Sequence, residues 1–219
     1  MHEQESMRST MRFINICSAI LFVSICAFSQ NHFLTDANYR KKVESNFQRQ
    51  QALAQNRSEQ LFGVFKQQLT VEEEEALKFL YAYMPLNDLA DYDGSFYLKM
   101  VRSSLEARET FPWGKKIPEG IFRHFVLPYR VNNENLDTSR VFFLHELKDR
   151  IINLSMKQAA LEVNHWCHEK VTYKGTDGRT ISPFGAMKTA YGRCGEETTF
   201  GVSVLRAVGI PARQCYTPR

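Results

Sequence analysis

One cysteine of this sequence has neighbours that suit a nucleophile. Cys194 lies between Gly192 and Gly195 and begins a segment whose apolar spacing predicts a buried helix. A cysteine attacks carbonyl carbon as its thiolate, and the free N–H groups of a helix N-terminus stabilise that anion. The two glycines remove side-chain bulk, so a substrate carbonyl could approach and the Cys194 N–H could bind an oxyanion. The same pattern also fits a small buried cysteine without chemistry, which is the alternative interpretation.

The segment that would position Cys194 is a helix with two apolar faces. It ends at Gly209, a residue type that commonly terminates helices, and a strand is expected over residues 212–217. Two apolar faces are typical of a helix at the centre of a domain, so we expect it to pack on that strand and on a helix at residues 155–169. Two glutamates in its first turn suit the helix dipole but oppose thiolate formation, so the chemistry needs a separate base.

Local signals predict further helices upstream. Thr70 and Glu73 form a capping box before one apolar helical repeat. Ser155 and Gln158 form a second box at the start of another helix. Residues 30–64 are rich in Gln, Asn and Arg, and we expect them to be a mobile or loosely helical lead-in. The remaining predicted helices cover residues 95–108 and 140–152, and the helix from residue 155 is expected to bury Ala159, Val163 and Trp166.

Two linked motifs between residues 159 and 217 resemble the core of the transglutaminase-like superfamily. The first is HW at 165–166, at the end of a helix, followed by VTY at 171–173. The second joins GRCGE at 192–196 to LRAVGIPAR at 205–213. The resemblance implies a papain-like fold with Cys194 as the nucleophile. It also implies a histidine that acts as base and acid, and an aspartate that orients it, both on later strands.

The sequence departs from this family pattern because no histidine follows Cys194. All six histidines precede it, in the wrong chain order for the family: His2, His32, His124, His145, His165 and His168. We therefore expect the chain to be the front part of a longer protein or a truncated gene product. Without the later histidine and aspartate, we expect it to be inactive.

Other residues near the motifs have more than one interpretation. Some members of the superfamily also place an upstream tryptophan N–H at the oxyanion; Trp166 is the candidate here, and packing in the core is its alternative. His165, Cys167 and His168 lack the spacing and further ligands of a metal site, so we expect neither a metal nor another cofactor. Cys215, on the predicted strand, is expected to be a core thiol.

The first 29 residues have the pattern of a secretory signal peptide. Arg8 and Arg12 precede an apolar run at residues 13–26, and a small-residue cleavage site follows, with Gln30 as the new N-terminus. The pattern predicts a periplasmic or extracellular protein that meets the membrane only through this signal. An uncleaved anchor and lipidation at Cys26 are the alternatives.

The whole sequence predicts an α+β protein in three parts. These are a signal peptide at 1–29, an N-terminal helical region at 30–135, and an incomplete papain-like, transglutaminase-like core at 136–219 that starts an antiparallel sheet. The net charge of +4 comes from interleaved acidic and basic residues, so no nucleic-acid partner is expected. The leading hypothesis is an exported cysteine-dependent hydrolase or acyltransferase acting on amide bonds of peptides, glycopeptides or cell-wall material. The alternative is a non-catalytic module that binds peptide or glycan on the same scaffold.

Overall fold

The computed structural model describes residues 32–216. The predicted signal peptide at residues 1–29 lies outside the described residues, and so do the last three residues of the chain. Helices dominate the described part, which confirms the expected α+β, mainly helical class. No helix among residues 32–216 has the length and apolar character needed to cross a membrane.

Ten α-helices and one pair of strands lie between residues 32 and 216. In chain order they are α1 (Ala37–Leu53), α2 (Ser58–Phe62), α3 (Val71–Ala82), α4 (Asp88–Asp91), α5 (Gly94–Thr110), α6 (Glu119–Phe125), α7 (Ser139–Ile151), α8 (Met156–Lys170), β1 (Thr172–Tyr173), α9 (Pro183–Thr189), β2 (Tyr191–Gly192) and α10 (Cys194–Ala207). Short 3-10 helices lie at Gln55–Arg57, Gly63–Lys66 and Gly114–Lys116. The capping boxes predicted at the starts of α3 and α8 are both present.

Helix α1 corrects the expectation of a mobile or loosely helical lead-in at residues 30–64. Asp36 caps this helix, because its carboxylate accepts a 2.7 Å hydrogen bond from the Tyr39 N–H. Val43 and Phe47 are buried, and the Phe47 ring packs against a tyrosine of α3. Tyr39, Val43 and Phe47 recur every four residues, so they form one row along the helix. That row supplies enough apolar surface for packing, although the average composition is polar.

A loop at residues 126–134 is tied to the N-terminal helices by a buried carboxylate. Asp88 is 1% exposed, and its backbone carbonyl accepts a hydrogen bond from the Tyr97 hydroxyl. Its carboxylate accepts hydrogen bonds from the Tyr129 hydroxyl at 2.7 Å and from Arg130 Nη2 at 2.5 Å. A buried carboxylate needs such partners, because burial without them would strongly disfavour its charge. The loop therefore has a fixed position, and it carries residues of the site described below.

Helix α10 lies at the centre of the C-terminal part, as its two apolar faces predict. Eight of its fourteen residues are buried. Phe200 stacks on Trp166 of α8 with ring centroids 5.9 Å apart, and it meets Phe143 of α7 edge-on at 5.5 Å. The predicted contact with the helix at residues 155–169 is thus confirmed, and α7 is a further partner. Gly209 follows the helix with φ of 75°, the left-handed conformation expected of a glycine stop.

The strand expected over residues 212–217 is absent over the described residues 212–216. The Ala212 N–H donates a 3.0 Å hydrogen bond to the carbonyl of Phe125, at the end of α6. The Ala212 carbonyl accepts a 2.9 Å bond from Arg206 Nε. The backbone here is therefore bonded to a helix end and a side chain, and not to a neighbouring strand. Cys215 is exposed, so the expectation of a core thiol is also wrong, because this segment follows the surface.

The described residues contain a parallel strand pair in place of the expected start of an antiparallel sheet. Thr172 of β1 lies opposite Tyr191 of β2, and Tyr173 lies opposite Gly192. A parallel pair needs a crossover connection, which α9 and its flanking turns provide. The pair brings the end of α8 and the start of α10 together, and so places the first turn of α10.

Candidate functional site

Cys194 is the first residue of α10, where the sequence predicts it. Arg193 is the N-cap residue with extended backbone angles, and the helix continues to Ala207 with Val208 as its C-cap. The Cys194 side chain is exposed. The cysteine thus lies on an accessible helix N-terminus, while the rest of the helix is held in the core.

The first turn of α10 presents two backbone donors without protein acceptors. The N–H groups of Glu196 and Glu197 both donate to the Arg193 carbonyl, at 2.8 and 2.9 Å. No residue among 32–216 accepts a hydrogen bond from the N–H of Cys194 or of Gly195. Free N–H groups at a helix N-terminus form a natural anion site. They are suited to a thiolate or to an oxyanion that forms beside it.

The two glycines around Cys194 have different roles. A β-carbon at Gly192 would lie 3.1 Å from the β-carbon of Glu196, so glycine is needed where β2 passes close to α10. A β-carbon at Gly195 would meet no atom closer than Gln214 Nε2, at 4.0 Å. The sequence predicts open space beside the cysteine at both glycines. The structure shows such space only at Gly195. Gly192 serves packing.

Glu196 organises the loop in front of α10, a role that the sequence analysis misses. It is 2% exposed, and it accepts hydrogen bonds from the Arg193 N–H at 3.0 Å, the Thr176 hydroxyl at 2.7 Å and the Ile181 N–H at 3.0 Å. Burial alone would raise the pKa of Glu196, but these hydrogen bonds and the Arg193 charge hold the pKa below its ordinary value. The carboxylate is thus ionised and fully occupied. Its position three residues after Arg193 is the signal that could have predicted the cap.

Arg206 clamps the segment that follows α10 to the loop at residues 126–134. The guanidinium is 5% exposed and donates to the backbone carbonyls of Ala212 at 2.9 Å, Arg130 at 2.8 Å and Pro128 at 3.3 Å. Burial lowers the pKa of Arg206 to about 10, so the group still carries its charge at neutral pH. The clamp lies on the helix that carries Cys194, and it fixes both segments relative to that helix.

Polar side chains of these two segments, and of the loop before α9, meet near the first turn of α10. Asn132 Nδ2 donates to Gln214 Oε1 at 2.7 Å and to the Tyr216 hydroxyl at 2.6 Å. The Thr180 hydroxyl donates to Asn133 Oδ1 at 2.7 Å. No local sequence signal links residues 132 and 214, so these contacts could not be predicted. These side chains make one side of the site polar.

The structure brings no described histidine into a hydrogen bond with Cys194. His165 is exposed and lies 3.2 Å from the Glu169 carboxylate on the same helix. His168 lines a groove of about 330 Å³ between α8 and α10, together with Cys167 and Glu197. No described histidine is therefore hydrogen-bonded to the Cys194 thiol as its general base.

The other thiols and the tryptophan have distinct environments. Burial raises the pKa of Cys167 to about 12, so this thiol stays protonated and is a poor nucleophile. Cys167, Cys194 and Cys215 are all free thiols. Trp166 is 2% exposed and stacked on Phe200, as its core alternative predicts; its role at an oxyanion stays a prediction. Residues 32–216 contain no cluster of three or more acidic, histidine or cysteine side chains suited to a metal.

Comparison with known proteins assigns part of this region to a family. Residues 146–219 match the family model described as the transglutaminase-like superfamily. No curated protein and no solved structure matches the chain. The matched residues include the end of α7, the whole of α8, both strands, α9 and the whole of α10 with Cys194. The resemblance drawn from the two sequence motifs is thus confirmed, and residues 146–219 form a partial transglutaminase-like region.

Proposed function

We propose that the protein is an exported enzyme that uses Cys194 as a nucleophile on amide bonds of peptides, glycopeptides or cell-wall material. The observation that carries the proposal is the position of Cys194: exposed, first in a buried helix, beside two free N–H groups, and within the family match. Export is supported by the pattern of residues 1–29, and N-terminal sequencing of the exported protein should give Gln30 as its first residue.

The proposed reaction begins with a bond between Cys194 sulfur and the substrate carbonyl carbon. The carbonyl electron pair moves to oxygen, and the oxyanion accepts hydrogen bonds from the N–H groups of Cys194 and Gly195. Collapse restores the carbonyl, breaks the C–N bond and leaves a thioester on sulfur. The departing amine needs a proton, which the resembled family supplies from a histidine. Hydrolysis by water is the favoured second step, because no described group builds a site for an acceptor amine.

An activated ester tests the nucleophile without requiring that proton. A p-nitrophenyl ester of an acetylated dipeptide releases nitrophenolate, which leaves with its electron pair and needs no general acid. Because the described residues supply the nucleophile and N–H groups but no histidine hydrogen-bonded to the thiol, we expect a stoichiometric burst followed by slow turnover. Peptide anilides, which need protonation of the leaving amine, should react at least about 10²-fold more slowly.

Matched variants identify the thiol responsible. Cys194→Ala should abolish the burst, whereas Cys215→Ala, which removes the other exposed thiol of residues 32–216, should leave it unchanged. A burst that survives Cys194→Ala would contradict the proposal. No burst, with retained binding of the peptide or of a glycopeptide, would favour a non-catalytic binding module.

A further inference from the structure

The side-chain amide of Gln214 faces the N-terminus of α10. The position of a β-carbon on Gly195 lies 4.0 Å from Gln214 Nε2. Gln214 returns to the start of the helix because the two preceding anchors hold its backbone: Arg206 bonds to the Ala212 carbonyl, and the Ala212 N–H bonds to Phe125. A polar side chain from outside the helix is thus directed at the open space beside the nucleophile.

The hydrogen bonds fix which end of the Gln214 amide faces that space. Asn132 Oδ1 accepts a 2.9 Å bond from the Asn133 N–H, so Asn132 Nδ2 is the end that faces Gln214 and Tyr216. Since Nδ2 can only donate, Gln214 turns its oxygen toward Asn132 and its Nε2 toward Gly195. No described residue accepts a hydrogen bond from Gln214 Nε2. Its two protons are free for a ligand.

Asn132 is itself held by buried groups. The Glu134 carboxylate accepts 2.7 Å hydrogen bonds from the N–H groups of Val131 and Asn132, and Glu134 is 2% exposed. Arg206 bonds to the Arg130 carbonyl on the same loop. The orientation of the Gln214 amide therefore rests on a rigid loop, which is the arrangement that a preorganised donor requires.

We infer that Gln214 stabilises the oxyanion formed on attack by Cys194, and that Asn132 is the positioning residue that orients it; this inference rests on the proposed function. As the C–S bond forms, the carbonyl electron pair moves to oxygen, and that oxygen accepts a hydrogen bond from Gln214 Nε2 in addition to those from the N–H groups of Cys194 and Gly195. On collapse the pair returns and the leaving group departs. Gln214 is neither nucleophile nor base, so it acts only as a hydrogen-bond donor to the oxygen of the tetrahedral adduct, and this oxygen can accept whether it carries a charge or a proton.

Reversible capture of a peptide aldehyde tests this role directly. The Cys194 thiol adds across the C=O of an acetylated dipeptide aldehyde: the C–S bond forms, the thiol proton passes to oxygen, and nothing leaves. With a ¹³C label at the aldehyde carbon, NMR measures the dissociation constant of the hemithioacetal. Gln214→Met keeps length and neutrality but removes the donor, and it should weaken capture about tenfold or more.

Alkylation by iodoacetamide separates this role from a structural one. This displacement at carbon develops no oxyanion, so Gln214→Met should alkylate at the wild-type rate. Asn132→Asp can only accept, so it should turn the Gln214 amide around and weaken capture to the same extent. Asn133→Ala is the matched control, because it loses only the side-chain contact with Thr180 and keeps the backbone N–H bonded to Asn132.

The outcomes separate the two proposals. Equal capture of the aldehyde by wild type and Gln214→Met would overturn the inference. If Cys194→Ala still lost capture, the assignment of Cys194 as the nucleophile would stand. A parallel fall in capture and alkylation in Gln214→Met would overturn it as well, because it would show a structural role. Absence of any capture by wild type would overturn both the inference and the proposed function.

Discussion

Helices α3 and α10 both begin with a capping glutamate, but the two glutamates have different further partners. Each has a glutamate at the third position of its first turn that accepts the N–H of the N-cap residue: Glu73 from Thr70 at 2.9 Å, and Glu196 from Arg193 at 3.0 Å. In α3 the Thr70 hydroxyl completes the box by accepting the Glu73 N–H. In α10 the side chain of the N-cap residue Arg193 has no acceptor atom for the Glu196 N–H, and it donates to the Gly178 carbonyl instead.

The second difference lies in what else each glutamate holds. Glu73 has a partly exposed side chain and pairs with Arg102 at 2.7 Å. Glu196 is buried and holds the Thr176 hydroxyl and the Ile181 N–H from a loop 15 to 20 residues earlier. The glutamate of α3 thus caps an exposed helix start. The glutamate of α10 also holds the loop that surrounds an exposed cysteine.

The largest expected effect is on stability when each glutamate is removed. Glu196→Ala leaves two backbone N–H groups and one hydroxyl without their buried acceptor, so it should lower the free energy of unfolding by about 3 kcal/mol. Glu73→Ala, the matched control, loses an exposed cap and should lose about 1 kcal/mol. Urea denaturation measures both, and hydrogen exchange should show lost protection at Ile181 only in Glu196→Ala. Equal losses in the two variants would remove the distinction between the caps.

A smaller effect is expected from acid. Burial alone would raise the pKa of Glu196, but hydrogen bonds hold it below its ordinary value in the folded protein. For such a group the stabilisation is fully present above the unfolded pKa and is lost as pH falls through the folded pKa. Glu196→Gln cannot ionise, so its unfolding free energy should fall less steeply below about pH 4.5 than that of wild type. Urea titrations from pH 6 to pH 3 test this, and unchanged steepness would mean that Glu196 is not ionised in the fold.

The sequence predicts those parts of the site that depend on near neighbours. The start of α10 at Cys194 follows from its flanking glycines and the apolar spacing after it, and the capping boxes of α3 and α8 follow from residues three positions apart. The links from Glu196 to Thr176 and from Gln214 to Asn132 depend on how distant segments pack, and no local pattern encodes them. The strand predicted at 212–217 fails for the same reason. A strand needs a partner, and here Phe125 and Arg206 satisfy the backbone of Ala212.

Mapping the acyl group after one turnover tests the central claim, that Cys194 is the nucleophile, most directly. Trypsin cleaves after arginine and lysine, so the three free thiols of the described residues fall on separate peptides: residues 158–170, 194–206 and 214–219. After brief reaction with the p-nitrophenyl ester and acid quenching, mass spectrometry should find the added acyl mass on 194–206. Acyl groups on 158–170 or 214–219, or on none of the three, would contradict the assignment of Cys194.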